Sequence, residues 1–313
     1  MNKSFTVVLI AALLFSGLIL FVGIAHSEVT LQPIYIKSNG AIEPTNAPIQ
    51  HNGEVYTFTG DICGTIVIEK SGITIDGAGH TLYGTYNGTR TDTWVVGDGP
   101  NQELSNGTLW TIGIDFSAAF RPDNVTVKNL NIKAFYIGMY MWTSGNILIK
   151  SSVTENIVGV LLSGDSNTIT ENHIAYNDEG VFFGVNNPGE EPLNIVLTYN
   201  SFVNNKVQFS GCFCETYNTE ELAHTWDDGA KGNYWSDYNG TDTNDDGVGD
   251  TPYIIDILNQ DRYPLMQPLA TSPTLTKPKT NLELFAISTS LAVISAATII
   301  IYFKKFKKNQ PTK

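Results

Sequence analysis

Between Asp123 and Ser210 apolar and polar residues alternate in short bursts, and the bursts recur. Written from its asparagines, the stretch reads NVTVKNLNIKAFYIGMYM, NILIKSSVTENIVGVLL, NTITENHIAYNDEGVFF and NIVLTYNSFVNNKVQFS. Pairs such as Val125/Val127, Ile147/Ile149, Val160/Leu162 and Val181/Phe183 predict strands with one face inward. Gly138, Gly159 and Gly180 stand 21 residues apart, and Ile132, Val153 and Ile174 keep the same step. The next member, Phe202, comes 28 residues later, and the seven extra residues match the insertion NNPGEEP at 186–192. An insertion that leaves the phase intact on both sides is a loop between stacked coils.

Each predicted strand has only three to five residues and is broken by Asn, Gly, Ser or Asp, with few tight-turn signals to make hairpins. Coils stacked about 4.8 Å apart let every strand pair with its equivalents above and below. Asn156, Asn177 and Asn205 fall at matching corners. They are expected to take up left-handed backbone there and to stack their amides along the axis. Two weaker coils precede this region, in Gly64–Gly84 and around Thr111–Asn124, with 85–108 leaving the solenoid as a long loop. The fold class is therefore all-β, a parallel β-helix. Residues 28–62 read as an N-terminal cap region, 63–214 as coils and 215–268 as an acidic, aromatic C-terminal cap.

The ends read differently. Residues 1–27 combine Lys3, an apolar run and Ala25-His26-Ser27, a signal peptide or an uncleaved signal-anchor. Near the other end, 282–303 reads as a transmembrane helix, uncharged from Leu284 onward. At 1.5 Å per residue, twenty apolar residues match a hydrocarbon core of about 30 Å. Lys304, Lys305, Lys307 and Lys308 make 304–313 a basic tail that belongs in the cytoplasm, and 269–281 is a Thr/Pro stalk. The address is thus a cell membrane crossed once, with the β-helix outside.

Charge narrows the partners. Residues 28–280 hold 12 Lys+Arg against 30 Asp+Glu, a net of −18 that repels nucleic acid and favours cations or basic partners. Cys63, Cys212 and Cys214 make no disulfide framework; the last two suit either a soft metal or small buried positions. Sequons stand at Asn87, Asn106, Asn124 and Asn239.

SGITIDGAGHTLYG, NVTVKNLNI and the Asn-rich coils resemble NosD-like right-handed parallel β-helix proteins. The segment KGNYWSDYNGTDTNDDGVGDTPYIID…QDRYPLM (231–266) resembles the ending of archaeal surface members of that group. The resemblance implies the right-handed coil and, for NosD itself, an accessory role in copper delivery to nitrous oxide reductase. Copper needs clustered soft or imidazole ligands. Here His51, His80, His173 and His224 are scattered, and Met139 and Met141 fill core slots, so the residues do not support copper.

The sharpest local motif is Asp242-Thr-Asn244-Asp-Asp246-Gly247-Val248-Gly249-Asp250. Its oxygen side chains take positions 1, 3, 5 and 9 of a Ca²⁺ loop, with glycine at the sharp sixth. Tyr253 replaces the twelfth-position Glu, leaving Asp256 or Asp237 to complete a shell. A structural Ca²⁺ site and a plain acidic turn both remain open. Trp226, Tyr234, Trp235 and Tyr238 read either as a cap over the last coil or as rings for sugar stacking. Two function classes follow. One is a non-catalytic surface protein binding glycan or protein. The other is a polysaccharide hydrolase or lyase, for which Asp227 and Asp228 are the candidate acids and Arg90, Arg121 and Arg262 the sequence's arginines.

Overall fold

The computed structural model describes residues 33–86, 112–116, 119–184, 191–211 and 223–269, and every regular element among them is a strand. The chain divides into two units, 1–272 and 273–313, and all the described residues belong to the first.

Three parallel sheets wrap one core. Sheet one stacks Ile34–Ile36, Ile66–Ile68, Ile112–Asp115, Ile137–Met141, Val158–Leu162, Glu179–Phe183 and Val207–Gly211. Sheet two stacks Val55–Phe58, Thr74–Asp76, Thr126–Lys128, Ile147–Ile149, Thr168–Thr170 and Val196–Thr198. Sheet three stacks Ile62–Cys63, Thr81–Tyr83, Asn131–Lys133, Ser152–Thr154, His173–Ala175, Ser201–Val203 and Tyr234–Trp235. One strand from each sheet makes one coil of a β-solenoid. Ile132 lies against Val153, Val153 against Ile174 and Ile174 against Phe202, so the insertion before Val196 leaves the register unbroken.

Stacking begins inside 28–62, where Ile34–Ile36 pairs with Ile66–Ile68 and Val55–Phe58 with Thr74–Asp76. Antiparallel strands Ile42–Glu43 and Ile49–Asn52 then cover the otherwise open edges of sheets one and two. The core is columnar: Val127, Leu148, Ile169 and Leu197 form one stack, Met139, Val160 and Val181 another, each residue 0% exposed. Met139 and Met141 are core residues, as their slots predict. Ile147 and Ile149 are not. Leu148 points inward between them, a phase shift of one residue that the run Ile-Leu-Ile hides from pattern reading.

Stacked amides line three corners. Asn156 Oδ1 accepts the N–H of Phe135, Asn177 Oδ1 that of Asn156, and Asn205 Oδ1 that of Asn177 (2.9, 2.9 and 3.0 Å). Their Nδ2 groups donate onward, Asn156 to Asn177 at 3.0 Å and Asn177 to Asn205 at 2.9 Å. A second ladder runs from Ser151 through Asn172 and Asn200 to Asn233, and a shorter one joins Asn146 and Asn167. The sequence expectation that these asparagines adopt left-handed backbone is corrected. The residue before most ladder positions does so instead: Lys150, Glu155, Glu171, Tyr176, Tyr199 and Asn204 have φ of 50–60°. A left-handed residue costs about 1–2 kcal/mol. That cost is tolerated because the following amide then satisfies backbone groups that have no water.

The 21-residue glycines have a separate cause. A Cβ on Gly138, Gly159 or Gly180 would stand 2.6, 2.4 and 2.4 Å from a carbonyl oxygen of the next coil, and 3.1 Å from a ladder amide. Among the described residues no helix is long and apolar enough to cross a membrane. The signal segment 1–27, Asn87, Arg90, Asn106, Cys212, Cys214, the stalk from 270, the transmembrane reading of 282–303 and the basic tail 304–313 all lie outside the described residues.

Asn177→Ala removes an acceptor used by both Asn156 groups and a donor to the Val153 carbonyl. Each buried group so orphaned costs about 1–3 kcal/mol. Denaturant melts should therefore show a loss of several kcal/mol, whereas Lys150→Ala, at an exposed corner, should change little.

Candidate functional site at the closing segment

Residues 223–269 close the C-terminal end of the solenoid. Thr225 bridges Val196 on sheet two, and Tyr234–Trp235 pairs with Ser201–Phe202 on sheet three. Trp235 lies flat between Phe202 and Tyr253, with ring centroids 4.4 and 4.2 Å away and planes within 6°. Trp226 packs beside it at 6.1 Å, and both indoles are buried. They extend the core column rather than offering faces to sugar. Tyr234 is half-exposed on the outer wall, and Tyr238 donates its hydroxyl to the Thr251 carbonyl.

The ladder through Asn200 and Asn233 ends on a carboxylate. Asp261 is fully buried; its Oδ2 accepts the N–H of Asn233 at 2.7 Å and the indole N–H of Trp235 at 2.9 Å. Its Oδ1 accepts the N–H of Tyr263 at 3.1 Å. Burial pushes the Asp261 pKa up to about 6, against the pull of these donors. Sequence reading missed this residue, although Asp261 follows Asn233 by the same 28 residues that separate Asn200 from Asn172.

Asp227 and Asp228, the candidate hydrolytic acids, are committed to structure. Arg262 grips Asp227 through Nε at 3.0 Å and Nη2 at 2.6 Å, and the N–H groups of Arg262 and Gly229 complete the carboxylate's bonds. Burial raises the Asp227 carboxyl, but the Arg262 fork and the backbone donors more than reverse this and hold it below the usual range. Asp228 accepts from the Tyr199 hydroxyl and from the N–H groups of Ala230 and Lys231. Arg121 sits elsewhere, at an exposed corner with φ of 45°.

The four predicted calcium ligands share one exposed turn. Asp242 accepts the N–H groups of Asp246 and Gly247, at 3.1 and 2.9 Å. Asp246 accepts from Val248 and from the Asn244 amide, and Asp250 from the N–H of Thr243 and the hydroxyl of Thr241. Neither proposed completing acid is bonded into this turn. Asp237 receives Tyr253 and Gln208, while Asp256 caps Leu258 and Asn259. Among the described residues no group of three or more His, Cys, Asp or Glu is arranged to hold a metal.

The histidines stay apart. His51 stacks on Tyr56, and His80 meets Asp61 at 3.3 Å. His173 is buried in sheet three, and His224 packs edge-on against Phe183 at 4.9 Å. Burial lowers the pKa of His173, and it lowers that of His224 to about 4 against the opposing field of Asp256. Cys63 is a free, half-buried thiol whose pKa burial raises.

A cleft of about 220 Å³ opens where the last strand of sheet one meets this segment, lined by Lys206, Val207, Gln208, Asp237, Tyr253 and Ile254. On the outer face of sheet one a second apolar cluster, separate from the core, joins Ile137, Tyr140, Ile157, Val158 and Leu161. Tyr86, Tyr136, Trp142 and Phe182 pack around it, half-buried.

Comparison with known proteins follows the coils. A family model described as "Periplasmic copper-binding protein (NosD)" matches residues 62–240, more than half of the chain. A curated relative, "Probable ABC transporter binding protein NosD" of Stutzerimonas stutzeri, is 30% identical over 155 residues. That match covers 42% of this chain and 33% of the relative, so the chain spans about a third of that protein's length. No solved structure matches.

The perturbed groups set a pH dependence with two opposing parts. Asp261 titrates near 6 when folded against about 3.9 unfolded, so its contribution is full below about pH 4 and lost as pH rises through 6. His224 titrates near 4 when folded against about 6.5 unfolded, so its contribution is full above about pH 6.5 and lost as pH falls toward 4. The two offset each other in the wild type. In Asp261→Asn the opposing part is removed, leaving His224 and the depressed carboxylates such as Asp227, so the melting temperature should fall more steeply from pH 7 to pH 4 than in wild type. Parallel slopes in the two proteins would contradict this assignment.

Proposed function

The chain belongs to the NosD family, and from that premise we propose that it is an exported β-helix, tethered to a membrane by its C-terminal segment. It binds a glycan or another surface protein along its outer walls without carrying out chemistry. The observation that supports this most directly is the outer face of sheet one. Sheets two and three present mainly Thr, Ser, Asn and Lys outward, as Thr126, Lys128, Asn131 and Lys133 illustrate. Sheet one instead carries an apolar patch in which Ile137, Tyr140, Val158 and Leu161 are buried and Tyr136, Trp142 and Phe182 form a half-buried rim. Half-buried aromatic rings on a rigid wall suit the apolar faces of sugars or the side chains of a protein partner. The commitment of Asp227 and Asp228 to structural bonds weighs against the competing reading of a polysaccharide hydrolase or lyase.

The family's copper description favours one second reading, an accessory in copper delivery. The dispersal of His51, His80, His173 and His224 weighs against it. The two readings separate by titration. Isothermal titration of the purified chain with Cu(I) and Cu(II) should give no stoichiometric high-affinity site. Retention on immobilised acidic and neutral polysaccharides should be seen and should weaken at least fivefold in Trp142→Ala. New reducing ends or unsaturated products in the same incubations would make the protein an enzyme.

The calcium assignment of Asp242, Asn244, Asp246 and Asp250 stands beside this as a proposed structural ion at the cap. Oxygen ligands on one turn suit a hard cation. Thermal melts should rise by several degrees in Ca²⁺ relative to chelator, and Asp246→Ala should remove the difference. Equal melts in the two conditions would leave the segment a turn held by its own hydrogen bonds.

A further inference from the structure

Of the sequons at Asn87, Asn106, Asn124 and Asn239, the last two fall within the described residues. Both asparagines are exposed, yet the fold treats them differently. Asn124 is built into the solenoid. Its backbone is left-handed at φ of 58°, and its N–H donates to the Ser144 carbonyl of the next coil at 3.2 Å. A Cβ on Gly145 would stand 2.6 Å from Asn124 Oδ1, so the amide lies against the corner of that coil. Val125 is buried with its N–H on Asn146 Oδ1, and Thr126 is paired between Thr74 and Ile147. Presenting this sequon to another molecule means unpairing a rung.

Asn239-Gly240-Thr241 stands off the walls, in the chain that follows Tyr234–Trp235. Among the described residues no hydrogen bond engages the side chain or backbone of Asn239, or the backbone of Gly240. Asparagine is favoured in turns because its side chain bonds nearby backbone. Asn39 does this by accepting the N–H of Ala41, and Asn244 donates to Asp246 within its own turn. Asn233 and Asn259, the remaining asparagines of the closing segment, are bonded to Leu197 and Asp256. A structural role therefore leaves the Asn239 amide unexplained. Gly240 has a separate cause, since a Cβ there would collide with the Tyr238 hydroxyl. At the far end of the sequon Thr241 donates its hydroxyl to Asp250 at 3.0 Å and accepts the Asp250 N–H at 2.7 Å. The threonine is held while the asparagine extends freely into solvent.

We propose that Asn239 carries an N-linked glycan and that Asn124 does not, an assignment that rests on the proposed export of the chain. The donor is a glycan carried on a lipid diphosphate. Asn239 Nδ2 bonds to C1 of the sugar while the C1–O bond to phosphate breaks. The lipid diphosphate leaves with that electron pair, and the amide nitrogen gives up one proton. The attachment point lies on the closing segment beside the turn from Asp242 to Asp250, off the outer walls of the three sheets.

Peptide mass spectrometry of the full chain isolated from its native cells tests this. Trypsin releases residues 232–262 as one peptide, between Lys231 and Arg262, with Asn239 as its sequon. That peptide should carry a glycan mass on Asn239, and the peptide holding Asn124 should be bare. Asn239→Gln breaks no bond of the fold and should lose the mass. Thr241→Ser should keep it, whereas Thr241→Val should lose it with the asparagine still in place. Labelling of the exposed Lys231 on intact cells by a membrane-impermeant amine reagent reports export separately. A labelled chain with a bare Asn239 would overturn the assignment, and a glycan on Asn124 would overturn the selection between the two sites. An unlabelled chain would overturn the export reading, and this assignment with it.

Discussion

The stacked asparagine amide is the interaction on which the rest of this molecule depends. At each ladder corner the chain must turn sharply in a dry interior, which strands backbone N–H and C=O groups away from water. One side chain resolves this by accepting the N–H of the coil below and donating to a carbonyl and to the next amide above. Asn177 does so with bonds to Asn156, Val153 and Asn205. An amide has donors and an acceptor on one planar group, so a column of them repeats without limit, which an acceptor-only carboxylate cannot do. The repeat has to be strict for this geometry to persist. The extra residues between Asn172 and Asn200 and between Asn200 and Asn233 leave the ladder intact, with bonds within 0.2 Å of the uninterrupted one (3.1 and 2.9 Å against 2.9 Å).

The ladder also explains how the solenoid ends. A final amide would expose an unsatisfied donor at the tip, so the column through Asn233 stops on Asp261, which accepts without having to donate. Flat stacking of Trp235 between Phe202 and Tyr253 extends the apolar column by the same logic. The Asp227–Arg262 fork, immediately beside Asp261 in sequence, pins the returning strand. The N-terminal end is closed by different means, with antiparallel hairpin strands laid on the open edges of two sheets. A parallel stack of short strands is vulnerable at its two ends and nowhere else. The closing residues are accordingly the least repetitive of the described chain.

This division governs what was legible in the sequence. The coils announce themselves because glycine, asparagine and the inward apolar residue each recur in phase. The glycines do so because a Cβ would strike the next carbonyl, which no other residue can avoid. The first coil was hidden, since Ile34–Ile36 and Val55–Phe58 are separated by hairpin loops that break the period. The inward residue of Ile147–Ile149 was ambiguous because three apolar residues in a row fit either phase. The left-handed corners were invisible for a better reason. Lys150, Glu171 and Tyr176 bear no common side-chain feature, since the neighbouring amide and the stack hold the backbone there, not the residue itself. In the closing segment the motif of Asp242 to Asp250 was conspicuous and Asp261 was not, although Asp261 is the residue that terminates the ladder.

That contrast bears on where function can reside. Every inward position is used by the core, and every ladder position by hydrogen bonds that cannot be released without unfolding a coil. The acids that looked available in sequence, Asp227 and Asp228, hold the closing segment in place. What remains free to vary is the outward face of each strand, where a substitution changes no ladder contact. Sheet one uses that freedom to build apolar columns, and sheet three uses it to keep side chains small across three coils. On the proposed binding reading, a rigid wall with two such different outer faces would recognise by shape and surface chemistry over several coils. The same rigidity fixes the spacing of any contact it makes, because neighbouring subsites along the wall are set at one coil apart by the amide ladder itself.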